Sequence, residues 1–513
     1  MQRGHVVMGL VFYPRGGSAY VTRSLTRSLT SAGWSVGLAV GSLGDPGDET
    51  HAATFFDALD VHALDYTAAA QAFADGGDAF AASVPMQPSY EDRDGVADAV
   101  LASVDPVLAD HFAAVWDEPL RDAGADRAEV FHLHHLTPQL DAAHRHWPET
   151  PLVVHLHGTE VKLFEAIAER AALAAALGET LATMPVAAEA GVGGDARDLD
   201  ERQDELLRTT RWDRWRHGAF WADRLREQAR TADHLITVSP KDRDSAIALL
   251  GVDPDDVTAI PNGVDLELFH PVPRSRGDRR SAFRHWLLDD ARGWTEGRPP
   301  GTLVYREQDL DRLLGVDADA TVLLYVGRFT AAKRLPTLIR AFARARDRFE
   351  RRGSLVIWGG HPGEWEGEHP ATVAAEVGTD GIFFTGWRGH DDLPAGLAEC
   401  DGLVMAAVND SYPQTPLEAM AVGLPVIACR SGGLPSMVNV DESRPTGWLV
   451  PPDDVDLLAD AIVAAVNDPA ERVQRGANAL DHARAELSWE GLVTRFEAAY
   501  VAAIEHHARR LEG

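Results

Sequence analysis

Two carboxylates, Asp410 and Glu418, stand eight positions apart in the stretch Asp410-Ser411-Tyr412-Pro413-Gln414-Thr415-Pro416-Leu417-Glu418-Ala419-Met420-Ala421. The prolines mark a turn that runs into a helix. Gly423 stops that helix, and Pro425-Val426-Ile427-Ala428-Cys429 follows as a buried strand. A helix start exposes unpaired backbone N–H groups and the positive end of the helix dipole, which suits phosphate, while a nearby carboxylate accepts hydrogen bonds from sugar hydroxyls. That combination points to a nucleotide-sugar site. The same residues admit a purely structural reading: Thr415-Pro416-Leu417-Glu418 has the form of a capping box with Pro at the first helical position, and Glu418 would then serve only its own helix.

A second group is cationic. Arg328 and Lys333 lie in Gly327-Arg328-Phe329-Thr330-Ala331-Ala332-Lys333-Arg334-Leu335-Pro336, between a buried strand at 321–326 and a helix faced by Leu335, Leu338, Ile339, Phe342 and Ala345. A diphosphate carries about two negative charges, and a planar Arg fork with a Lys point charge at a helix N-terminus is suited to hold it. Two solvated surface cations are the plain alternative. It is less attractive because the chain has only three lysines, Lys162, Lys241 and Lys333.

Histidines form a third group. Short strands at 129–135 and 152–160 carry His132 with His134 and His155 with His157. Side chains at i and i+2 of a strand share a face, so these pairs could assemble a zinc site and make the protein a metal-dependent hydrolase. No spacing supplies the further ligand and outer shell such a site needs, which favours satisfied polar groups at strand ends. Gly16-Gly17 follows the apolar strand 5–13 and precedes a helix faced by Val21, Leu25, Leu29 and Ala32, with Ser18 as a candidate cap. Such a turn lets backbone amides approach a phosphate, and it is equally an ordinary tight turn. Trp212, Trp215 and His217 could stack on an acceptor sugar, although the three-residue spacing of the tryptophans is also that of a helix core face, the reading favoured here.

Strands alternate with helices on both sides of these groups, which predicts parallel, doubly wound sheets. The expected organisation is an N-terminal Rossmann-like domain over 1–270 that closes with Pro261-Asn262-Gly263, and a linker or insertion over 271–320 rich in Arg, Pro, Gly and Asp. A second Rossmann-like domain over 321–487 and a final helix at 488–513 that packs back on the first domain complete it. Residues 41–126 are rich in Ala and Asp and carry no interpretable motif. The stretch 162–231 is the candidate for acceptor selection.

A chain of 513 residues with 45% hydrophobic content has enough apolar surface for two full cores. Its two cysteines, Cys400 and Cys429, have no metal-ligand spacing and fit a reducing compartment. No apolar run approaches the roughly 20 residues that span a bilayer, and no signal peptide is expected, so a cytoplasmic location is expected, with peripheral membrane contact left open. A net charge of -31 argues against nucleic acid as a partner. An acidic, Lys-poor and Arg-rich composition fits a halophilic source, although GC-rich coding also favours Arg.

The stretch 410–421, with its helix and the Gly423-Leu424-Pro425-Val426-Ile427 strand entry, resembles the retaining glycosyltransferases of family 4, the group 1 glycosyl transferases, in which two Glu residues occupy the places of Asp410 and Glu418. Gly327-Arg328 with Lys333 resembles the family's diphosphate-binding motif, His157-Gly158-Thr159-Glu160 its His-Gly-Thr-Asp segment, and Gly432-Gly433-Leu434-Pro435-Ser436 a segment that usually ends in Glu. Asp410, Glu160 and Ser436 are departures. The resemblance covers most of the chain and implies the GT-B fold, two Rossmann-like doubly wound parallel-sheet domains facing a cleft. It implies transfer of a sugar from a nucleoside-diphosphate sugar to an unknown acceptor hydroxyl with retained configuration, with no cofactor and no metal.

By the same resemblance Arg328, Lys333 and the backbone N–H groups of Gly17, Gln414 and Thr415 hold the diphosphate, and Gly16 shapes the turn facing it. Asp410 binds hydroxyls of the transferred sugar, His157 its exposed edge, and Glu418 the ribose. Pro413 has no N–H to donate and serves shape alone. A non-catalytic nucleotide-sugar-binding protein and the metal-dependent hydrolase remain the alternatives.

Overall fold

The computed structural model describes residues 3–14, 16–93, 95–191, 199–273, 275–441 and 443–512. The chain divides into two compact units. The first takes residues up to Pro261 and those from Val493 onward, and the second takes Asn262–Leu492.

The first unit is built on seven strands: β1 His5–Leu10, β2 Ser35–Ser42, β3 Val61–Asp65, β4 Val130–His134, β5 Leu152–Leu156, β6 His234–Thr237 and β7 Val257–Ala259. They pair in the order β3-β2-β1-β4-β5-β6-β7, all parallel. Val6, Val7, Met8 and Leu10 of β1 and Phe131 and Leu133 of β4 are fully buried, as expected of strands covered by helices on both faces. The chain runs outward from β1 to β3 and then restarts on the other side of β1 at β4. The β1/β4 crevice is therefore the place where loops diverge and a ligand can enter.

The second unit repeats the plan with six strands: β8 Thr321–Gly327, β9 Gly353–Gly359, β10 Ile382–Gly386, β11 Gly402–Met405, β12 Val426–Cys429 and β13 Gly447–Val450. Their order is β10-β9-β8-β11-β12-β13, again all parallel, with the switch between β8 and β11.

Three stretches differ from expectation. Residues 262–270 belong to the second unit, and 271–320 is folded onto it rather than strung between units. Helix Arg276–Arg284 begins with a Ser275/Asp278 capping box. Its Arg279 is buried, paired with Asp401 at 2.7 Å and donating to the carbonyls of Glu399 and Ala320, each at 3.0 Å. Trp294 is also buried and donates its indole N–H to the Gly360 carbonyl at 3.0 Å. Polar composition had suggested a linker or insertion; Arg279 is spent on Asp401 and backbone carbonyls next to the sheet, while Arg280 and Arg284 pair with Asp311 and Glu307 of the same stretch.

The helix following β1 starts at Gly17 with Gly16 (φ 104°) as its cap, so Ser18 lies inside the helix and does not cap it. The helix Gln414–Ala421 starts a residue before Thr415 with Pro413 as its cap, and no side chain caps it. The capping box at 415–418 therefore does not form, and Pro416 is the third helical residue.

The last helix, Trp489–Glu512, enters the first unit at Val493. Glu497 accepts from the Trp34 indole at 3.0 Å, Tyr500 meets His132, and His507 and Arg510 bond to the buried carboxylate of Asp233 at 3.0 and 2.9 Å. Asp233 also accepts from the backbone N–H of Leu152 at 2.9 Å, which anchors the helix to the start of β5.

Candidate functional site

In the second unit the candidate residues gather at the C-terminal edge of the sheet, at its switch point. Arg328 follows β8 directly and is exposed; its carbonyl accepts from the buried Tyr325 hydroxyl at 2.9 Å. A short 3-10 turn, Ala331–Lys333, leads into helix Leu335–Arg346, with Pro336 in the first turn as its missing N–H permits. Arg334 adopts a left-handed conformation (φ 52°) and is held by Asp453 at 2.8 Å.

The loop after β11 is tied to that turn by the Val408 N–H donating to the Ala332 carbonyl at 2.8 Å. This bond brings Asp410 to Lys333. The ammonium Nζ lies 2.6 Å from Asp410 Oδ2, and each side chain is 17% exposed, so the pair is partly shielded from water. Burial raises the Tyr325 hydroxyl, helped by the Asp410 carboxylate and opposed by the Arg328 guanidinium, which places both charges near that phenol.

Gly432 and Gly433 form the support beneath Asp410. The Gly433 N–H donates to the Asp410 carbonyl at 2.8 Å, and a Cβ at Gly432 (φ +63°) would overlap that same carbonyl. A side chain at either position would displace the loop, which accounts for the paired glycines. Ser436 turns back on its own helix start, donating to the Gly433 carbonyl at 2.7 Å. Beyond the loop, Asn262 donates its side-chain N–H to the Tyr412 carbonyl at 3.0 Å.

The Gln414 and Thr415 N–H groups lie in the first turn of their helix, where no side chain caps them. Glu418, almost fully buried, is engaged by His390 at 2.7 Å, and Phe269 packs edge-on against that imidazole. His390 was not found from sequence. It lies 28 positions from Glu418 with nothing local to mark it.

In the first unit Gly16-Gly17, His134 and His157 all lie at or just beyond the C-terminal ends of β1, β4 and β5. A Cβ on Gly16 or Gly17 would meet open space. Gly158 takes a left-handed conformation (φ 86°) that starts helix Thr159–Ala176 and turns the chain out of β5. His157 is half-buried and bonded through Nε2 to His134 Nδ1 at 2.8 Å. Glu160, at the family's usual Asp position, is buried and bonded to His135 at 2.6 Å.

The His-x-His strands form a layer of stacked imidazoles. His134 is in register with His155, and the rings of His132/His134, His134/His157 and His155/His157 stack at 4.9, 5.1 and 4.4 Å. Burial holds the four imidazoles well below their ordinary range, His132 at about 3, so the layer is neutral. The polar groups are not all satisfied as expected: among the described residues, His134 Nε2 and His155 Nε2 are buried without a hydrogen-bond partner.

Trp212 and Trp215 lie in the hydrophobic core, 4% and 3% exposed, with Arg170 over the Trp215 ring at 3.9 Å. Neither offers a free face for an acceptor, which corrects their assignment as acceptor residues. His217 is half-buried at the start of helix Gly218–Thr231, its N–H bonded to the Ala102 carbonyl at 3.0 Å and its imidazole lowered by burial.

Two Rossmann-like parallel sheets with these loops at their switch points define a GT-B protein. Residues 320–468 match the model for "Glycosyl transferases group 1" and residues 103–268 that for "Glycosyltransferase Family 4". The chain belongs to glycosyltransferase family 4.

Among curated relatives, a D-inositol 3-phosphate glycosyltransferase of Stackebrandtia nassauensis is 31% identical over 284 residues, 54% of this chain and 56% of that protein. One from Saccharomonospora viridis is 32% identical over 264 residues, 50% of this chain and 53% of that protein. The chain thus spans little more than half the length of these relatives. Sucrose-phosphate synthase from Thermosynechococcus elongatus shares the fold with a TM-score of 0.57 at 20% identity, covering 97% of this chain and 98% of that one. Anabaena HepE in complex with UDP does so with a TM-score of 0.57 at 15% identity, covering 98% and 100%. These relatives do not favour a metal-dependent hydrolase.

Proposed function

We propose that this protein transfers a sugar from a nucleoside-diphosphate sugar to an acceptor hydroxyl with retention of configuration. The observation that carries the proposal is the Lys333–Asp410 pair at 2.6 Å on the switch-point edge of the second sheet. Before donor binds, Asp410 neutralises Lys333 and holds its ammonium at the helix start. A diphosphate, with about two negative charges, competes for that ammonium, and the freed carboxylate is then available to sugar hydroxyls. Arg328, Lys333 and the N–H groups of Gln414 and Thr415 take the charge that develops on the leaving diphosphate as the acceptor oxygen replaces it at the anomeric carbon.

The resemblance assigns Gly16, Gly17 and His157 of the first unit to the same donor. In this reading the arginine and lysine do the work a metal does elsewhere, and transfer needs no metal. Glu418 reaches the ribose only by sharing its carboxylate with His390 or releasing it, which the 2.7 Å bond makes a specific requirement. The relatives support the reading: two are glycosyltransferases at 31% and 32% identity, and one that shares the fold is bound to UDP.

Consumption of nucleoside-diphosphate sugars, assayed as release of the free diphosphate across a panel of bases, sugars and acceptors, tests it. Turnover that gives one product anomer matching the donor supports the proposal, whereas donor affinity without turnover would identify a binding protein. Asp410→Glu is expected to change the donor profile. An unchanged profile removes Asp410 from sugar selection.

A further inference from the structure

The imidazole layer in the first unit has a second property. His132, His134 and His155 each offer a ring nitrogen, and these three atoms all lie within 4.8 Å of one another. All three side chains are essentially inaccessible to solvent. We infer that His132, His134 and His155 bind a transition-metal ion of the zinc type, which fastens β4 and β5 together beneath the last helix.

Two observations converge on this. The His132 Nε2 to His155 Nδ1 separation is 3.3 Å. Two nitrogens bound tetrahedrally at about 2.0–2.1 Å from zinc are separated by about that same distance. His134 Nε2 is buried with no hydrogen-bond partner among the described residues, and a metal ligand is one of the few roles that repays such a lone pair.

The outer shell is also present. His132 Nδ1 meets the Tyr500 hydroxyl at 2.7 Å, and His134 Nδ1 meets His157 Nε2 at 2.8 Å. When the opposite nitrogen of each ring carries the metal, these two Nδ1 atoms hold the proton and donate it, which fixes the tautomer and the ring plane. Glu160, bonded to His135 beside His157, brings a carboxylate into the same region.

Three imidazoles with no cysteine suit zinc, copper, nickel or cobalt rather than magnesium or calcium. The ion is separate from the diphosphate clamp, whose cations lie in the second unit. Because Tyr500 sits on the last helix, the ion and that helix should support each other.

The test is to load the full chain with zinc during refolding, since the site is closed in the folded state, then to remove loosely bound metal by gel filtration with a weak chelator. About one zinc per chain with an all-nitrogen shell at about 2.0–2.1 Å by X-ray absorption is expected. His134→Gln and His155→Gln should each reduce the retained metal at least tenfold, and metal loading should raise the melting temperature of the parent alone. Should either variant fail to fold, the ligand shell of the parent decides. Retention well below one equivalent, an oxygen-rich shell, or full retention in folded variants would each overturn the inference.

Discussion

Lys333 and Asp410 are 77 positions apart in sequence, and their charged atoms approach to 2.6 Å because β8 and β11 are neighbours in the sheet. The pair is partly shielded, which makes removal of one partner different from removal of both. Lys333→Ala should lower turnover by about two to three orders of magnitude if the ammonium stabilises the departing diphosphate. The double change Lys333→Ala with Asp410→Asn should restore any stability lost with the lone carboxylate, but not the turnover. Measured melting temperatures and kcat separate the two effects; near-normal kcat in Lys333→Ala would remove it from the clamp.

Gly432→Ala tests the support beneath Asp410. The added Cβ meets the Asp410 carbonyl while Gly432 sits at φ +63°, so the loop must shift. A loss of about 1–3 kcal/mol in unfolding free energy is expected, accompanied by weaker donor binding. A stable variant with unchanged donor affinity would show that the loop position does not matter to the site.

Acid should destabilise the first unit. Burial lowers His234 from its ordinary 6.5 to about 4, with His506 adding repulsion, and its Nε2 meets Thr258 Oγ1 at 2.9 Å. A depressed folded value means that the unfolded chain takes the proton first. Its contribution is therefore intact above pH 6.5 and is lost as pH falls from about 6.5 towards 4, on the order of 3 kcal/mol in all. The buried imidazoles at His132, His134, His155 and His157 add a loss of the same sign. Denaturant melts of metal-free protein between pH 7.5 and 4.5 should show it, and His234→Gln should flatten part of the slope. A pH-independent midpoint would contradict the assignment of neutral buried histidines.

Salt should stabilise the whole chain. Exposed ion pairs such as Arg340–Glu368 weaken with salt, but each is worth little, whereas a net charge of -31 repels itself over the entire surface. The melting temperature should rise between low salt and about 1 M potassium chloride, where the Debye length is about 3 Å. A fall over that range would mean that specific pairs outweigh the general repulsion.

Most of the fold was legible because parallel strands buried on both faces read as unbroken apolar runs, as in Thr321–Gly327 and Val426–Cys429. The Arg328 and Lys333 placement followed from strand-turn-helix chemistry alone. What escaped depended on partners distant in sequence. Arg279 finds Asp401, and Glu418 finds His390, only after the sheet has formed.

The capping box failed because the helix starts at Gln414, which puts Thr415 inside it, and the stretch around Trp294 looked like a linker because its buried tryptophans, Trp286 and Trp294, follow no helical or strand period. The tryptophan spacing at 212 and 215 pointed to the core, and the core is where both rings lie. The histidine strands were read correctly as sharing a face, but the 2.7 Å bond of His132 to Tyr500 could not be foreseen across 368 positions.

The return of the last helix to the first sheet reverses the usual order of assembly on the ribosome. Domains ordinarily fold as they emerge, N-terminal first. Here Asp233 and His132 wait for Arg510, His507 and Tyr500, which are translated 274 to 368 positions later. The first unit is therefore completed only after the second has been made, and a chain cut after Pro261 would leave the Asp233 carboxylate and a row of neutral rings without their cover.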